Sequence, residues 1–213
     1  MILDTIKESK IIAIVRGLPP QQLRSLVEAL YAGGINLVEV TFAQHAPETW
    51  VDTANGIRMI AKEFEGRVYP GAGTVITLEQ LNMAYQAGAQ YIISPNADEE
   101  IIRATKALGM VSMPGALTAT EIVRAHRAGA DFVKVFPVDS MGPDYIKALK
   151  APLSHIPLTA VGGVNEKNVA SFIKAGASGV GVGGSLIKKD WIAAGQWDRI
   201  TELAKAYTDA IKG

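Results

Sequence analysis

Short apolar runs alternate along the chain with longer segments that have apolar residues at helical spacing. An amphipathic segment commonly ends at a glycine, and a short apolar run then follows, as in Ala128-Gly129-Ala130 before Phe132-Val133-Lys134-Val135. Glycine is favoured directly after a helix because that position often requires a positive φ. Four further junctions of this kind contain Gly33-Gly34, Gly88, Gly109 and Gly176. The pattern predicts a repeated helix–strand unit.

The complete pattern predicts eight strands and eight principal helices, with a short N-terminal helix before them. The strands are predicted at 11–15, 36–41, 67–71, 91–94, 110–113, 132–136, 157–161 and 178–182. The helices are predicted at 19–32, 47–63, 77–86, 98–107, 118–127, 142–150, 165–174 and 197–211. Strands that alternate with helices favour parallel pairing through right-handed crossovers. We therefore predict one α/β domain over 1–213, a (β/α)₈ TIM barrel; a doubly wound open sheet is the alternative.

The composition fits this fold and excludes several functions. Apolar residues make up 48% of the 213 residues and aromatic residues only 7%, so Val, Ile, Leu and Ala must form the core. The 21 basic residues balance the 21 acidic ones, which argues against a nucleic-acid partner. The absence of cysteine excludes disulfides and thiolate catalysis. The histidines have no metal-ligand spacing, so we expect neither a catalytic metal nor another cofactor; they are His45, His126 and His155.

The chain also lacks sequence signals for secretion or membrane insertion. Residues 1–10 have no apolar signal core or small-residue cleavage site. No stretch approaches the roughly 20 apolar residues that span a bilayer. We expect a cytoplasmic protein without a membrane partner.

Two ionisable residues interrupt predicted strands that should be apolar. Glu39 lies between Val38 and Val40, and Lys134 lies between Val133 and Val135. A buried ion pair, or a lysine whose head reaches solvent, is one explanation. The other is catalytic, because burial lowers a lysine pKa and leaves more free amine to attack a carbonyl, with a carboxylate as proton carrier. Both residues are near the carboxyl ends of their strands, where barrel active sites form.

Glycine-rich segments follow the seventh and eighth predicted strands, at Gly162-Gly163 and at Gly183-Gly184-Ser185. Glycine lets backbone N–H groups approach an anion, and these two loops commonly bind phosphate in this fold. Ser185 would add a hydroxyl donor. Tight turns that simply need glycine are the alternative. We predict a phosphate site, without a nucleotide.

Two further polar residues end predicted strands. Thr74 could bond a substrate carboxylate or hydroxyl, or could be the N-cap of the next helix. Arg16 could bind a carboxylate bidentately, or could be an ordinary surface residue.

Several motifs, in order along nearly the whole chain, resemble a known family. They are Glu39-Val40-Thr41, Gly71-Ala72-Gly73-Thr74, Ser94-Pro95, Met113-Pro114-Gly115, Lys134-Val135-Phe136-Pro137, Gly162-Gly163-Val164 and Gly183-Gly184-Ser185. The family comprises the class I aldolases of 2-keto-3-deoxy-6-phosphogluconate (KDPG) and 4-hydroxy-2-oxoglutarate (KHG). The resemblance implies a (β/α)₈ homotrimer that reversibly cleaves a phosphorylated keto acid to pyruvate and an aldehyde such as glyceraldehyde 3-phosphate.

The resemblance also implies roles for individual residues. Lys134 would form a Schiff base with the keto acid, and Glu39 would be the general acid and base. The pyruvate site would be lined by Thr74, Pro95 and Phe136. The phosphate would be held by Gly162, Gly163, Gly183, Gly184 and Ser185.

Two positions depart from the commonest family pattern. Ala43 occupies the place of an arginine that helps to hold the pyruvate carboxylate, and Arg16 resembles the arginine that other members have at the end of strand one. Val161 replaces a threonine near C4 of the sugar and resembles the 6-phosphogalactonate enzymes. The residues leave open the gluconate type, the galactonate type and a relaxed specificity for both. They also leave open a phosphosugar isomerase or decarboxylase on the same barrel, and a non-catalytic phosphosugar-binding barrel.

Overall fold

The apolar runs form a parallel sheet that curls into a barrel in the computed structural model, which describes residues 1–212. The strands are β1 (Ile11–Arg16), β2 (Leu37–Thr41), β3 (Tyr69–Gly73), β4 (Tyr91–Ile93), β5 (Val111–Met113), β6 (Gly115–Ala116), β7 (Val133–Val135), β8 (Leu158–Val161) and β9 (Gly179–Val182). Their order in the sheet is β5-β4-β3-β2-β1-β9-β8-β7-β6. All pairs are parallel, as expected for strands joined by helices.

The two end segments of this order, β5 and β6, are halves of one strand separated by Pro114. Proline has no N–H and interrupts the ladder, so β5 pairs with β4 and β6 pairs with β7. The proline carbonyl still accepts a hydrogen bond of 2.9 Å from the backbone N–H of Lys134. The barrel is therefore closed, because the chain itself connects β5 to β6 at the two edges of the sheet. The prediction of an eight-stranded TIM barrel is confirmed. The assignment of 1–213 to one domain stays a prediction.

Helices cover the outside of the barrel. They are α1 (Ile2–Ser9), α2 (Pro20–Ala32), α3 (Trp50–Glu63), α4 (Leu78–Ala87), α5 (Glu99–Ala107), α6 (Ala119–Arg127), α7 (Gly142–Lys150), α8 (Val169–Lys174), α9 (Lys189–Ala193) and α10 (Trp197–Lys212), with a 3-10 turn at Pro47–Thr49. Side-chain caps begin several of them, such as the capping box of Thr118 and Glu121 at α6. The described part of the chain has no helix long and apolar enough to cross a membrane.

Several elements differ from the sequence prediction. Strand β3 begins at Tyr69 rather than at 67, because the N–H groups of Arg67 and Val68 both bond the carbonyl of Phe64 and prolong the preceding turn. Helix α8 begins at Val169, four residues later than predicted. The preceding residues form a separate turn, because the backbone N–H groups of Asn165 and Asn168 each donate a hydrogen bond to the side-chain oxygen of the other. The short helix α9 was not predicted.

The barrel interior has its own apolar cluster, apart from the core between strands and helices. It joins Ile6 of α1 to Ile12, Tyr91 and Phe132, so that α1 closes the amino-terminal end. Large side chains fit there because neighbouring strands carry glycine: a Cβ on Gly71 would overlap the Tyr91 ring. The polar side chains of the interior consequently lie toward the carboxyl ends of the strands.

Candidate active site

Lys134 lies on β7 and its side chain enters the barrel. Its neighbours Val133 and Val135 pack into the core beneath the helices, and successive residues of a strand face opposite sides. Only 6% of Lys134 is exposed, and its Nζ lies 4.8 Å from the centroid of the Phe136 ring, a cation–π contact. Burial lowers the pKa of the Lys134 amine, the Glu39 charge opposes that shift, and the Arg16 charge adds to it. More free amine is present at a given pH than for an ordinary lysine.

Glu39 lies on β2 and is 1% exposed. Its carboxylate packs directly against Gly73 of β3, where a Cβ would overlap Oε1. Its Oε2 is buried and has no hydrogen-bond partner within residues 1–212. Burial raises the pKa of the Glu39 carboxyl, while Lys134 and Arg16 each moderate the rise. A buried oxygen without a partner in the protein is available to a substrate proton.

The carboxylate and the amine act on one another without forming a direct ion pair. All seven ion pairs shorter than 4.0 Å among residues 1–212 join other residues. Each of the two groups nevertheless shifts the pKa of the other. The structure thus contradicts one explanation that the sequence left open, namely a buried ion pair with direct contact between Lys134 and Glu39.

A cleft of about 840 Å³ opens at the carboxyl ends of the first three strands. It lies beside Ala43, and Arg16, Gln44, Thr74 and Lys189 line it. Arg16 influences the pKa values of both buried groups, so its positive charge is close to them. Arg16 itself is exposed, and its role in binding a carboxylate stays a prediction.

Thr74 follows β3 with a φ of 57°, in the left-handed region where a β-branched residue is uncommon. It is not the N-cap of α4. That position belongs to Thr77, whose hydroxyl accepts the backbone N–H of Gln80 at 3.2 Å. The capping explanation of Thr74 is wrong, and its hydroxyl makes no hydrogen bond to the part of the protein that the structure describes.

The other expected substrate contacts lie at or just after the ends of β4, β7 and β8. Pro95 follows β4 and is exposed, and its carbonyl lies against Gly115, where no Cβ would fit. Phe136 follows β7 and is 38% exposed. Val161 ends β8, is 7% exposed and would contact any side chain at Gly181.

The two glycine loops lie side by side after β8 and β9. Gly162 and Gly163 have φ values of 110° and 67°, and both pack against the segment after β7, so a side chain there would be strained. The N–H groups of Gly163, Gly184 and Ser185 make no hydrogen bond to residues 1–212. Unpaired, adjacent N–H groups can hold an anion.

Ser185 joins these loops. Its hydroxyl donates a hydrogen bond of 2.5 Å to the carbonyl of Val164. That proton is already used within the protein, so the hydroxyl is not a free donor as the sequence suggested. The backbone N–H of Ser185 remains available to an anion.

Two residues near the site escaped the sequence analysis. Thr159 is the register partner of Lys134 across β7 and β8 and is 3% exposed. Thr159 is a polar residue between Leu158 and Ala160, and on a strand it faces the same side as Val161, two residues later. That position was the signal that could have identified it. Gln44 bonds the carbonyl of Thr74 at 2.6 Å, a contact that no sequence pattern indicates.

No group of three or more His, Cys, Asp or Glu side chains within 1–212 is arranged to hold a metal ion. The arrangement instead offers a buried amine, a buried carboxyl group with a raised pKa, a nearby cleft lined by Arg16, Lys189 and Asp52, and N–H groups without a partner in the glycine loops. These are the parts that an amine-catalysed reaction of an anionic carbonyl compound requires.

Comparison with known proteins points to the same chemistry. The family model of the KDPG and KHG aldolases matches residues 2–203. The 2-dehydro-3-deoxy-6-phosphogalactonate aldolase of Escherichia coli K12 is 37% identical over 203 residues, which are 95% of this chain and 96% of that protein.

Two solved structures superpose closely on this barrel. A native KDPGal structure has a TM-score of 0.84 and 38% identity, covering 95% of this chain and 94% of the other. The KDPG aldolase of Legionella pneumophila, with pyruvate captured at low pH as a covalent carbinolamine intermediate, has a TM-score of 0.86 and 26% identity, covering 97% and 98%.

Proposed function

Because this chain belongs to the KDPG and KHG aldolase family and is therefore an aldolase, a carbon–carbon lyase, we propose that Lys134 is its Schiff-base lysine. The substrate is a 2-keto-3-deoxy-6-phosphoaldonate, which is cleaved reversibly to pyruvate and glyceraldehyde 3-phosphate. The observation that carries the proposal is the buried Lys134 amine, whose pKa is lowered, in the same interior as the buried Glu39 carboxyl.

The chemistry follows from these two groups. The free amine of Lys134 adds to the C2 carbonyl, and protonated Glu39 donates the proton with which the carbinolamine hydroxyl leaves as water. The resulting carboxylate takes the proton of the C4 hydroxyl while the C3–C4 bond breaks, and the iminium accepts the electron pair as an enamine. Glu39 then returns a proton to C3, and water releases pyruvate from the lysine.

The remaining predicted residues bind the two ends of the substrate. Arg16 and Thr74 are the proposed partners of the keto-acid carboxylate, since both line the cleft and Arg16 is cationic. Pro95 and Phe136 border the pyruvate moiety. The phosphate binds the N–H groups of the loops that contain Gly162, Gly163, Gly183, Gly184 and Ser185.

Trapping with a reductant tests this proposal directly. Pyruvate and cyanoborohydride should add one reduced pyruvate to Lys134, located by peptide mass spectrometry, and Lys134→Arg should show neither adduct nor cleavage. Lys150→Arg is the matched control, because burial also lowers the pKa of Lys150 outside the site. A folded wild-type protein without an adduct would exclude the Schiff-base mechanism, whereas an isomerase that used Lys134 only as a charge would keep activity in Lys134→Arg.

The galactonate type is the preferred epimer in this proposal. Val161 offers only methyl groups to the C4 side of the sugar and cannot hydrogen-bond a C4 hydroxyl, and a galactonate-type enzyme is among the relatives. Val161→Thr should therefore raise kcat/KM for the gluconate epimer relative to the galactonate epimer by roughly tenfold, about the value of one hydrogen bond. A lactate-dehydrogenase-coupled assay with both epimers measures the ratio, and an unchanged ratio would remove Val161 as a determinant.

A second substrate is 4-hydroxy-2-oxoglutarate, which the family model includes by name. Its cleavage needs the same lysine and carboxyl group but no phosphate site.

A homotrimer is also proposed, with support from the exposed apolar side chains of Ile76, Leu78 and Tyr85 close together in sequence. Sedimentation equilibrium tests it. The cytoplasmic location stays a prediction from the sequence.

A further inference from the structure

The backbone at Thr74 is strained. Its φ of 57° is one of two positive values among the non-glycine residues of 1–212, the other being at Lys10 after α1. A β-branched residue pays a conformational cost in this region and remains there only when surrounding contacts hold it. The contacts that hold Thr74 therefore decide where its side chain and its neighbours lie.

A chain of two glutamine amides supplies these contacts. Gln44 Nε2 donates to the Thr74 carbonyl at 2.6 Å, and Gln80 Nε2 donates to Gln44 Oε1 at 2.9 Å. Gln80 is fully buried, and its Oε1 accepts the backbone N–H of Ile76 at 2.9 Å. Since Oε1 of Gln44 is used as an acceptor, its amide nitrogen must face Thr74.

This chain of bonds holds the Thr74 carbonyl toward Gln44 and leaves the threonine hydroxyl without a hydrogen bond to residues 1–212. Thr74, Gln44 and Arg16 line the same cleft. The preceding residue, Gly73, touches the Glu39 carboxylate. A shift at Thr74 would consequently move both a donor on the cleft wall and the wall beside Glu39.

We propose that Gln44 is a positioning residue, which holds Thr74 in its left-handed conformation so that the Thr74 hydroxyl faces the carboxylate of the bound keto acid. This inference rests on the proposed function, because that function assigns the cleft side of the site to the keto-acid carboxylate. Gln44 itself bonds the Thr74 backbone, and it affects the reaction only through that residue.

The test is Gln44→Met, which keeps the length of the side chain and removes both amide bonds. In the condensation direction we expect the KM for pyruvate to rise about tenfold, the factor that one hydrogen bond commonly contributes. The KM for the aldehyde and kcat should change less than about twofold, because neither the phosphate loops nor Lys134 is altered. The pyruvate concentration for half-maximal cyanoborohydride trapping should rise by the same factor.

Two comparisons separate positioning from simple loss of structure. Gln86→Met makes the same change of side chain at an exposed position of α4 outside the cleft and should leave both KM values unchanged. In a Thr74→Gly background, where the left-handed conformation carries no strain, Gln44→Met should add no further loss, giving full coupling in a double-mutant cycle.

An unchanged pyruvate KM, an equal rise in both KM values or additive effects in the cycle would each overturn the role of Gln44. Wild-type protein that forms no pyruvate adduct would instead overturn the proposed function.

Discussion

Burial moves the pKa values of Lys134 and Glu39 toward each other. The amine pKa falls from 10.5 and the carboxyl pKa rises from 4.5, in both cases chiefly through desolvation. Near neutral pH this increases the fraction of free amine and of protonated carboxyl, the forms required for addition and for dehydration. Arg16 adds to the shift of the lysine and opposes that of the glutamate.

Arg16→Gln should move the pH dependence of Schiff-base formation. The Arg16 charge lowers the pKa of Lys134, so removing it raises that pKa, and the rate of trapping should begin to rise at higher pH than in the wild type. The shift is measured as the pH dependence of the trapping rate at saturating pyruvate. The measurement covers roughly pH 6 to 10, which leads up to the ordinary pKa of a lysine. Arg58→Gln, at a partly exposed position of α3, is the control. A pH profile that stays in place or moves to lower pH contradicts the electrostatic role of Arg16.

Glu39→Gln should change how stability depends on pH. The pKa of Glu39 in the folded state is raised above 4.5. Its contribution to the unfolding free energy is therefore fully present below the unfolded-state pKa and is lost as the pH rises through the folded-state pKa. The variant lacks this titration. The unfolding free energy of Glu39→Gln relative to wild type should increase as pH rises above 4.5, by about 1.4 kcal/mol for each unit of pKa shift. Urea denaturation of both proteins at several pH values measures this difference in unfolding free energy. A difference that does not change with pH would contradict a raised pKa of Glu39.

At the scale of elements, glycines have two different functions around the site. Gly71 and Gly73 on β3 leave room for Tyr91 and Glu39 inside the barrel. Gly184 has an open surrounding, and a Cβ there would meet no protein atom within 4 Å. Gly184 also has no positive φ, so the protein itself does not require glycine there, whereas a phosphate that approaches the backbone would.

Gly184→Ala should consequently weaken substrate binding while preserving the fold. We expect the KM for the phosphorylated substrate to rise roughly tenfold or more, because a methyl group obstructs the approach of an anion to the N–H groups. Cleavage of 4-hydroxy-2-oxoglutarate, which has no phosphate, is the internal control and should be unaffected. Equal losses for both substrates, or no loss for either, would argue against a phosphate at this loop.

At the scale of the whole molecule, the interior apolar cluster and the proposed catalytic site lie toward opposite ends of the barrel. The amino-terminal end is closed by α1, whose Ile6 is 4% exposed and joins the interior apolar cluster. The carboxyl end contains the cleft and the two glycine loops. Pro114 joins β5 and β6, the two edges of the sheet, so that one continuous wall runs around the barrel between these ends.

Ile6→Ala should therefore lower stability without altering the reaction. Removing a buried isoleucine from this cluster should cost about 2–4 kcal/mol of unfolding free energy, with kcat/KM within about twofold of wild type at 25 °C. Denaturant titration and steady-state assays measure the two quantities, and Lys7→Ala at an exposed position of the same helix is the control. A loss of kcat in folded Ile6→Ala would show that the two ends are coupled.

Much of this architecture could be predicted because the information is local. Apolar periodicity and the glycines after helices identified the strands within about two residues, and a charged residue between valines identified both Lys134 and Glu39. The start of β3 and the split at Pro114 were missed, since hydrogen bonds of the Phe64 carbonyl and the loss of one N–H decide them. Motif resemblance, rather than periodicity, indicated the family.

The sequence by itself determined the barrel, the amine and the carboxyl group, because each depends on residue type and on position within one strand. Only the tertiary structure decided that Lys134 and Glu39 form no direct ion pair, that the Ser185 hydroxyl donates to the Val164 carbonyl, and that the Gln44 amide donates to the Thr74 carbonyl. These are distances between residues far apart in the chain. They depend on how strands from separate segments twist and close around a common interior, which no local pattern records.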